Sequence, residues 1–136
     1  MVYAYSINGV PVQTGDIICT TDGKPDILPG EFWRLIGRML PGDVDHCVMY
    51  IGPEGRCIES SGKGVIAFEI REGRWRGDDR IRERGPLVDT FYGVAYPLRE
   101  RGLSEEEEMR IREDIAAYCL AQVGKPYNIN FLDAET

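Results

Sequence analysis

Histidine is nearly absent from this sequence, and closely spaced cysteine pairs are missing. The chain has one histidine, His46, in 136 residues, and none of its four cysteines forms a C-x-x-C motif. Zinc ribbons and zinc fingers need four Cys or His ligands at such close spacings, so we expect no metal site and no cofactor. The cysteines are expected to be reduced thiols, the ordinary state in a cytosolic setting.

The sequence also lacks segments that would target it to a membrane. No apolar run approaches the roughly 20 residues that a membrane-spanning helix needs. The segment from Met1 to Ser6 has neither the basic start nor the apolar core of a signal peptide. We therefore expect a cytoplasmic protein that has no membrane partner.

Positive charge is in the minority. Sixteen Lys and Arg residues against 23 Asp and Glu residues give a net charge of −7, whereas phosphate binding rests on a positive surface. Nucleic acid is therefore not an expected partner. The arginine-rich stretch from Arg71 to Arg84, which includes Trp75, leaves an RNA-associated role open, although a solvated loop or edge strand explains the same charges.

The length and the composition describe one globular domain. A chain of 136 residues with 43% hydrophobic and 29% charged side chains has the size and balance of a single domain. The pair Asn8-Gly9 predicts a tight hairpin between Val2 and Val12. Further strands are predicted at residues 17–20, 46–51, 56–60, 65–70 and 91–98.

Two helices are predicted between and after these strands. Glu31 to Leu40 carries apolar side chains at the 3, 4 and 7 spacing of an amphipathic helix. Ser104 and Glu107 form a capping box that starts a long second helix ending at Gly124. Its predicted packing stripe consists of Met109, Ile111, Ile115, Tyr118, Cys119 and Val123. The order of elements predicts an α+β fold that has an antiparallel sheet or small barrel, a short early helix and a long C-terminal helix.

His46 stands at the head of a predicted strand. If Pro53-Glu54 is the turn of the following hairpin, cross-strand partners sum to 107, and His46 and Glu59 become diagonal neighbours on one face. A carboxylate bonded to one imidazole nitrogen fixes the tautomer and leaves the other nitrogen free to take a proton. A purely structural interpretation stays open, in which His46 caps a sheet edge and Glu59 is a solvated strand residue.

Several short motifs occur in a recognisable order. They are Gly15-Asp16-Ile17-Ile18, Asp45-His46 before Tyr50-Ile51-Gly52, Ile58-Glu59-Ser60 before Gly64-Val65, and Ala121 to Phe131 with its G-x-x-Y segment ending at Tyr127. In this order and spacing the chain resembles the circularly permuted NlpC-type papain-like proteins, and it is nearest to the YiiX-like bacterial and archaeal members. The resemblance implies a papain-like fold, with His46 as the catalytic histidine and Glu59 as the residue that orients it.

The family's cysteine nucleophile has no counterpart here. In the family it opens a helix beyond the G-x-x-Y segment, so we expect a domain truncated at its C-terminal end, with self-association through the surface thereby exposed. A natural form that has lost catalysis is the alternative. Cys47 is predicted on the face opposite His46, Cys119 lies within a helix and Cys19 within a core strand. Cys57 shares the face of Glu59 but pairs with Tyr50.

Two aromatic side chains are candidates for substrate binding. Trp33 lies off the apolar stripe of the early helix and can line a groove, and the resemblance places Tyr127 near the site. The leading hypothesis is a thiol hydrolase or acyl-transfer domain acting on a small peptide, amide or ester. The alternative is a catalytically inactive module that binds a peptide, an amino acid or a cell-wall fragment.

Overall fold

The computed structural model describes residues 1–21, 46–61, 64–75 and 89–126. Three predictions lie outside these ranges: the early helix from Glu31 to Leu40 with Trp33, most of the arginine-rich stretch, and Tyr127 with the segment that follows it. No helix in the described ranges is both long and apolar enough to cross a lipid bilayer.

The chain opens with a two-stranded hairpin made of β1 (Ala4–Ile7) and β2 (Val10–Gln13). Asn8 and Gly9 have φ angles of 50° and 81°, the left-handed values that a two-residue type I′ turn requires. Ile7 pairs with Val10 directly beside the turn. The hairpin predicted from Asn8-Gly9 is therefore confirmed.

A five-stranded antiparallel sheet forms the body of the domain. Its strand order is β6-β5-β4-β3-β7, and every described pairing is antiparallel. Together with the long helix that follows the last described strand, this makes the fold α+β, as predicted. The strands are β3 (Ile17–Thr21), β4 (His46–Tyr50), β5 (Arg56–Ser61), β6 (Gly64–Glu69) and β7 (Thr90–Ala95).

The hairpin and one face of this sheet enclose the core. Tyr5 stacks on Tyr50 with ring centroids 5.7 Å apart, and its hydroxyl donates to the carbonyl of Ile70 at 3.0 Å. Trp75 packs edge-on against Phe68 and is only 7% exposed. The buried residues that share this cluster are Ile7, Val12, Ile18, Val48, Tyr50, Cys57, Phe68, Ile70 and Trp75.

The helix α1 (Glu105–Gln122) begins at the predicted capping box. Ser104 Oγ accepts from the Glu107 N–H at 3.1 Å, and Glu107 Oε1 accepts from the Ser104 N–H at 2.9 Å. Four glutamates fill its first turn, where the helix dipole favours negative charge. Both ends of the predicted helix are correct to within about two residues.

The face on which α1 packs agrees with the predicted stripe in part. Ile111, Ile115 and Cys119 are half-buried, as expected. Met109, Tyr118 and Val123 were expected to pack, but they are 53%, 68% and 42% exposed. The buried side chain of the helix is instead Arg112, which donates to Asp16 Oδ1 at 2.8 Å and to the Thr14 carbonyl at 2.9 Å. An ion pair therefore fixes the helix against the sheet, from a position on the same face as Ile111, Ile115 and Cys119.

Candidate functional site

The lone imidazole and its predicted acid are in direct contact. His46 Nε2 lies 2.6 Å from Glu59 Oε1. The Glu59 side chain is completely buried, whereas the His46 side chain is 26% exposed. This burial contradicts the alternative in which Glu59 is a solvated strand residue. Glu59 is thus an internal carboxylate whose imidazole partner reaches the surface.

The register of the β4–β5 hairpin brings these two side chains together. Met49 pairs with Ile58 and Tyr50 with Cys57, which is the predicted register. The turn depends on Gly55, which has a φ of +88° and whose missing Cβ would overlap the carbonyl oxygen of Ile70. Because side chains alternate along a strand, His46 and Glu59 lie on the face that bears Val48 and Tyr50.

The contact determines what the imidazole can do. When Glu59 is ionised, its carboxylate can only accept hydrogen bonds, so Nε2 is then the protonated nitrogen and its N–H donates to Glu59 Oε1. In neutral His46 the other nitrogen, Nδ1, then carries no hydrogen and its lone pair can act as an acceptor. A ring held in this tautomer can accept a proton at Nδ1, and the Glu59 charge stabilises the imidazolium that forms. The pair therefore has the parts of a general base and its orienting group.

Thr20 is a neighbour of the pair that sequence reasoning did not single out. It pairs with His46 across β3 and β4, so both side chains lie on the same face. Thr20 is fully buried, and its Oγ1 has no hydrogen-bond partner within the described residues. The available signal was a polar residue ending an otherwise apolar run, Ile17-Ile18-Cys19.

None of the four thiols is placed to be activated by His46. Cys47 pairs with Cys19 on the opposite face of the sheet. The Cys57 thiol donates to the Gly55 carbonyl at 3.4 Å and lies at the position of Tyr50 along the hairpin, as predicted. Burial raises the pKa of the Cys119 thiol, which disfavours its thiolate. None of the four is therefore placed as the thiol that His46 would deprotonate.

The two predicted substrate-binding residues, Trp33 and Tyr127, lie outside the described residues. Trp75, considered above for an RNA-associated role, is a core residue whose indole N–H donates to Asp89 Oδ1 at 3.2 Å. It is therefore not available to stack on a base. No cluster of three or more His, Cys, Asp or Glu side chains suited to a metal ion occurs in the described ranges.

The fold and the contact define a class of arrangement: an antiparallel α+β domain that carries a buried carboxylate–imidazole pair on its sheet. In comparisons with known proteins, no family model, no curated protein and no solved structure matches the chain.

Proposed function

We propose that this domain is part of a thiol hydrolase or acyl-transfer site, in which His46 is the general base and Glu59 orients it. The observation that carries the proposal is the 2.6 Å contact between His46 Nε2 and the buried Glu59 carboxylate. The resemblance to the permuted NlpC-type papain-like proteins, which assigns the same two roles, supports it. The substrate class is a small peptide, amide or ester.

The proposed reaction begins with proton transfer to His46 Nδ1 from a thiol. The resulting thiolate attacks the substrate carbonyl, and the carbon–nitrogen or carbon–oxygen bond breaks as the imidazolium returns the proton to the leaving group. Water or another acceptor then releases the acyl group. Because Cys19, Cys47, Cys57 and Cys119 are held elsewhere, the proposal requires a thiol that residues 1–136 do not contain.

The test uses the natural protein expressed from its complete reading frame. Iodoacetamide labelling of every thiol is followed by mass spectrometry between about pH 5 and pH 9, because only thiolates alkylate rapidly. We expect one further thiol to react at least about 100-fold faster near neutral pH than Cys57 and Cys119. His46→Ala should slow that thiol about 100-fold, the usual magnitude of a general-base contribution.

Glu59→Gln is the matched variant for the orienting role. It keeps the side-chain shape and removes the charge, so it should slow the same thiol less than His46→Ala does. Cys57→Ser is the control and should leave the labelling rate of the further thiol unchanged, since the Cys57 thiol is hydrogen-bonded to the Gly55 carbonyl and does not contact His46. Uniformly slow labelling of every thiol, unaffected by His46→Ala, would contradict the proposal.

The placement of the thiols favours a second candidate, a catalytically inactive module that binds a peptide, an amino acid or a cell-wall fragment. In that case His46 and Glu59 supply a polar contact to the ligand. Because His46 is the only histidine, its imidazole C–H signals are unambiguous in an NMR titration with short peptides or soluble cell-wall fragments. Saturable shifts without fast thiol labelling would support the binding module over the enzyme.

A further inference from the structure

Two cysteines face each other on neighbouring strands of the sheet. Cys19 of β3 and Cys47 of β4 are direct cross-strand partners. The Tyr50 N–H donates to the Asp16 carbonyl at 3.0 Å, so Asp16–Tyr50 is a hydrogen-bonded position of this ladder. Hydrogen-bonded and non-hydrogen-bonded positions alternate along an antiparallel pair, which makes Cys19–Cys47 a non-hydrogen-bonded one.

This position suits a covalent bond between the two sulphurs. Residues at a non-hydrogen-bonded position have Cα atoms about 4.5 Å apart and side chains that approach closely. Disulfides span Cα separations of about 4.4–6.8 Å. The bond can therefore close without breaking the register of β3 and β4.

The two thiols already interact in the reduced protein. The Cys47 S–H donates to Cys19, which lowers the pKa of the Cys19 thiol. The same hydrogen bond and burial raise the pKa of the Cys47 thiol. Two such coupled thiols titrate as a unit, because the proton left after the first ionisation lies between the sulphurs. The hydrogen bond therefore favours the thiolate form of Cys19, whereas Cys47 keeps its proton.

One member of the pair is accessible. Cys47 is half-buried and lines a cleft of about 280 Å³ together with Met49, Ile58 and Cys119. Cys19 is only 1% exposed. A small molecule can therefore reach Cys47 from the cleft, while Cys19 is placed to react only with its partner. Reactive dithiols have the same division between an attacking and a resolving thiol.

We propose that Cys19 and Cys47 form a redox-active site that closes to a disulfide by exchange with a low-molecular-weight disulfide. Cys47 attacks one sulphur of glutathione disulfide from the cleft as its proton passes to the Cys19 thiolate; a mixed disulfide forms on Cys47 and the first glutathione thiolate leaves, taking up the proton from Cys19. Cys19 then attacks the Cys47 sulphur and releases the second glutathione. The two protein thiols lose two electrons and two protons, and the disulfide reagent takes both up as two glutathione thiols.

The test equilibrates the reduced full chain with mixtures of glutathione and glutathione disulfide, then blocks free thiols with N-ethylmaleimide. Intact mass and peptide mapping should show loss of two of the four free thiols and a single bond joining Cys19 to Cys47. In denaturing urea the fraction closed should fall at least about tenfold, because unfolding removes the effective concentration that the sheet provides. Glutathione must reopen the bond.

A double variant, Cys57→Ser with Cys119→Ser, is the matched control and should close as the wild type does. Cys19→Ala should stop at the mixed disulfide on Cys47, since the resolving thiol is gone. The peptide map of the wild-type protein keeps the test decisive even where a variant folds poorly. A bond between Cys47 and Cys119, closure that is equal in urea, or no intramolecular bond would each overturn the proposal.

Discussion

The phenol of Tyr50 is buried in the core, and this makes the free energy of unfolding depend on pH. The side chain is fully buried. Burial raises the pKa of Tyr50 to about 12, although the Gly55 N–H that donates to its oxygen partly opposes this. Because the pKa is about 10 in an unfolded chain, folding favours the neutral phenol. The contribution of the buried neutral phenol to the free energy of unfolding is complete below about pH 10. It is lost as the pH rises towards 12.

Alkaline denaturation of Tyr50→Phe tests this assignment. In the wild type the free energy of unfolding, measured by urea denaturation, should fall by about 2 kcal/mol between pH 10 and pH 12 through this group. Tyr50→Phe should be less stable at neutral pH, since the Gly55 N–H loses its acceptor, but it should show a shallower alkaline slope. Tyr118→Phe, at a side chain 68% exposed, is the control. Equal slopes for Tyr50→Phe and the wild type would contradict the assignment.

The contact between His46 and Glu59 was predictable because a hairpin is a local structure. A short turn of Gly, Pro and Glu residues fixes the register, and the register fixes which side chains share a face. The opposition of Cys19 and Cys47 was not predictable in the same way. Residues 22–45 separate β3 from β4 in the sequence, so the register of this pair cannot be read from a short turn motif as it can in the β4–β5 hairpin.

At the scale of elements, the attachment of α1 rests on polar contacts. Arg112 is 4% exposed and Asp16 is 1% exposed. Arg112 Nε also donates to Glu108 at 2.9 Å, one turn earlier on the same helix. The helix passes close to Gly15, where an added Cβ would lie 3.5 Å from Ile115 Cδ1. The ends of the helix were predictable from capping residues, and part of its packed face from Ile111, Ile115 and Cys119. The burial of Arg112 was not predictable, because periodicity treats Arg as a solvent-facing residue.

Removing one partner of the buried ion pair should be costly. We expect Arg112→Met, which leaves the Asp16 carboxylate buried without its cation, to lower the free energy of unfolding by about 3–5 kcal/mol. Asp16→Asn should have an effect in the same direction. Urea denaturation monitored by circular dichroism measures both.

The double variant and an exposed neighbour make this prediction specific. Arg112→Met combined with Asp16→Asn should cost less than the sum of the two single changes, since neither charge is then left alone. Arg110→Met lies two residues away on the exposed side of α1 and should change stability by less than about 0.5 kcal/mol. Additive single effects would show that Arg112 and Asp16 do not act as a pair.

For the whole molecule, local signals predicted the class but not the arrangement. Alternating apolar residues and turn pairs predicted strands and hairpins, and these produced the antiparallel α+β class correctly. β7 lies beside β3 in the sheet, although the two strands are far apart in sequence. This pairing depends on which apolar faces pack together across the whole chain, so short-range sequence patterns do not specify it.

The proposed disulfide has a consequence for the stability of the whole molecule. A bond between Cys19 and Cys47 would close a loop of about 30 residues in the unfolded chain. Loop closure of this length removes conformational entropy worth about 3–4 kcal/mol at 25 °C. Because the folded sheet already holds the two residues as cross-strand partners, closure should cost the native state little, so most of this stabilisation should be retained.

Urea denaturation of the oxidised and reduced proteins measures the difference directly. The oxidised form should unfold at a higher urea concentration by an amount corresponding to about 3 kcal/mol. The double variant Cys19→Ala with Cys47→Ala should unfold at the same concentration whether or not oxidant is present. An oxidised form less stable than the reduced one would mean that the bond distorts β3 and β4. The register that brings the two thiols together would then be unsuited to the bond, and closing the disulfide would strain β4, the strand that carries His46.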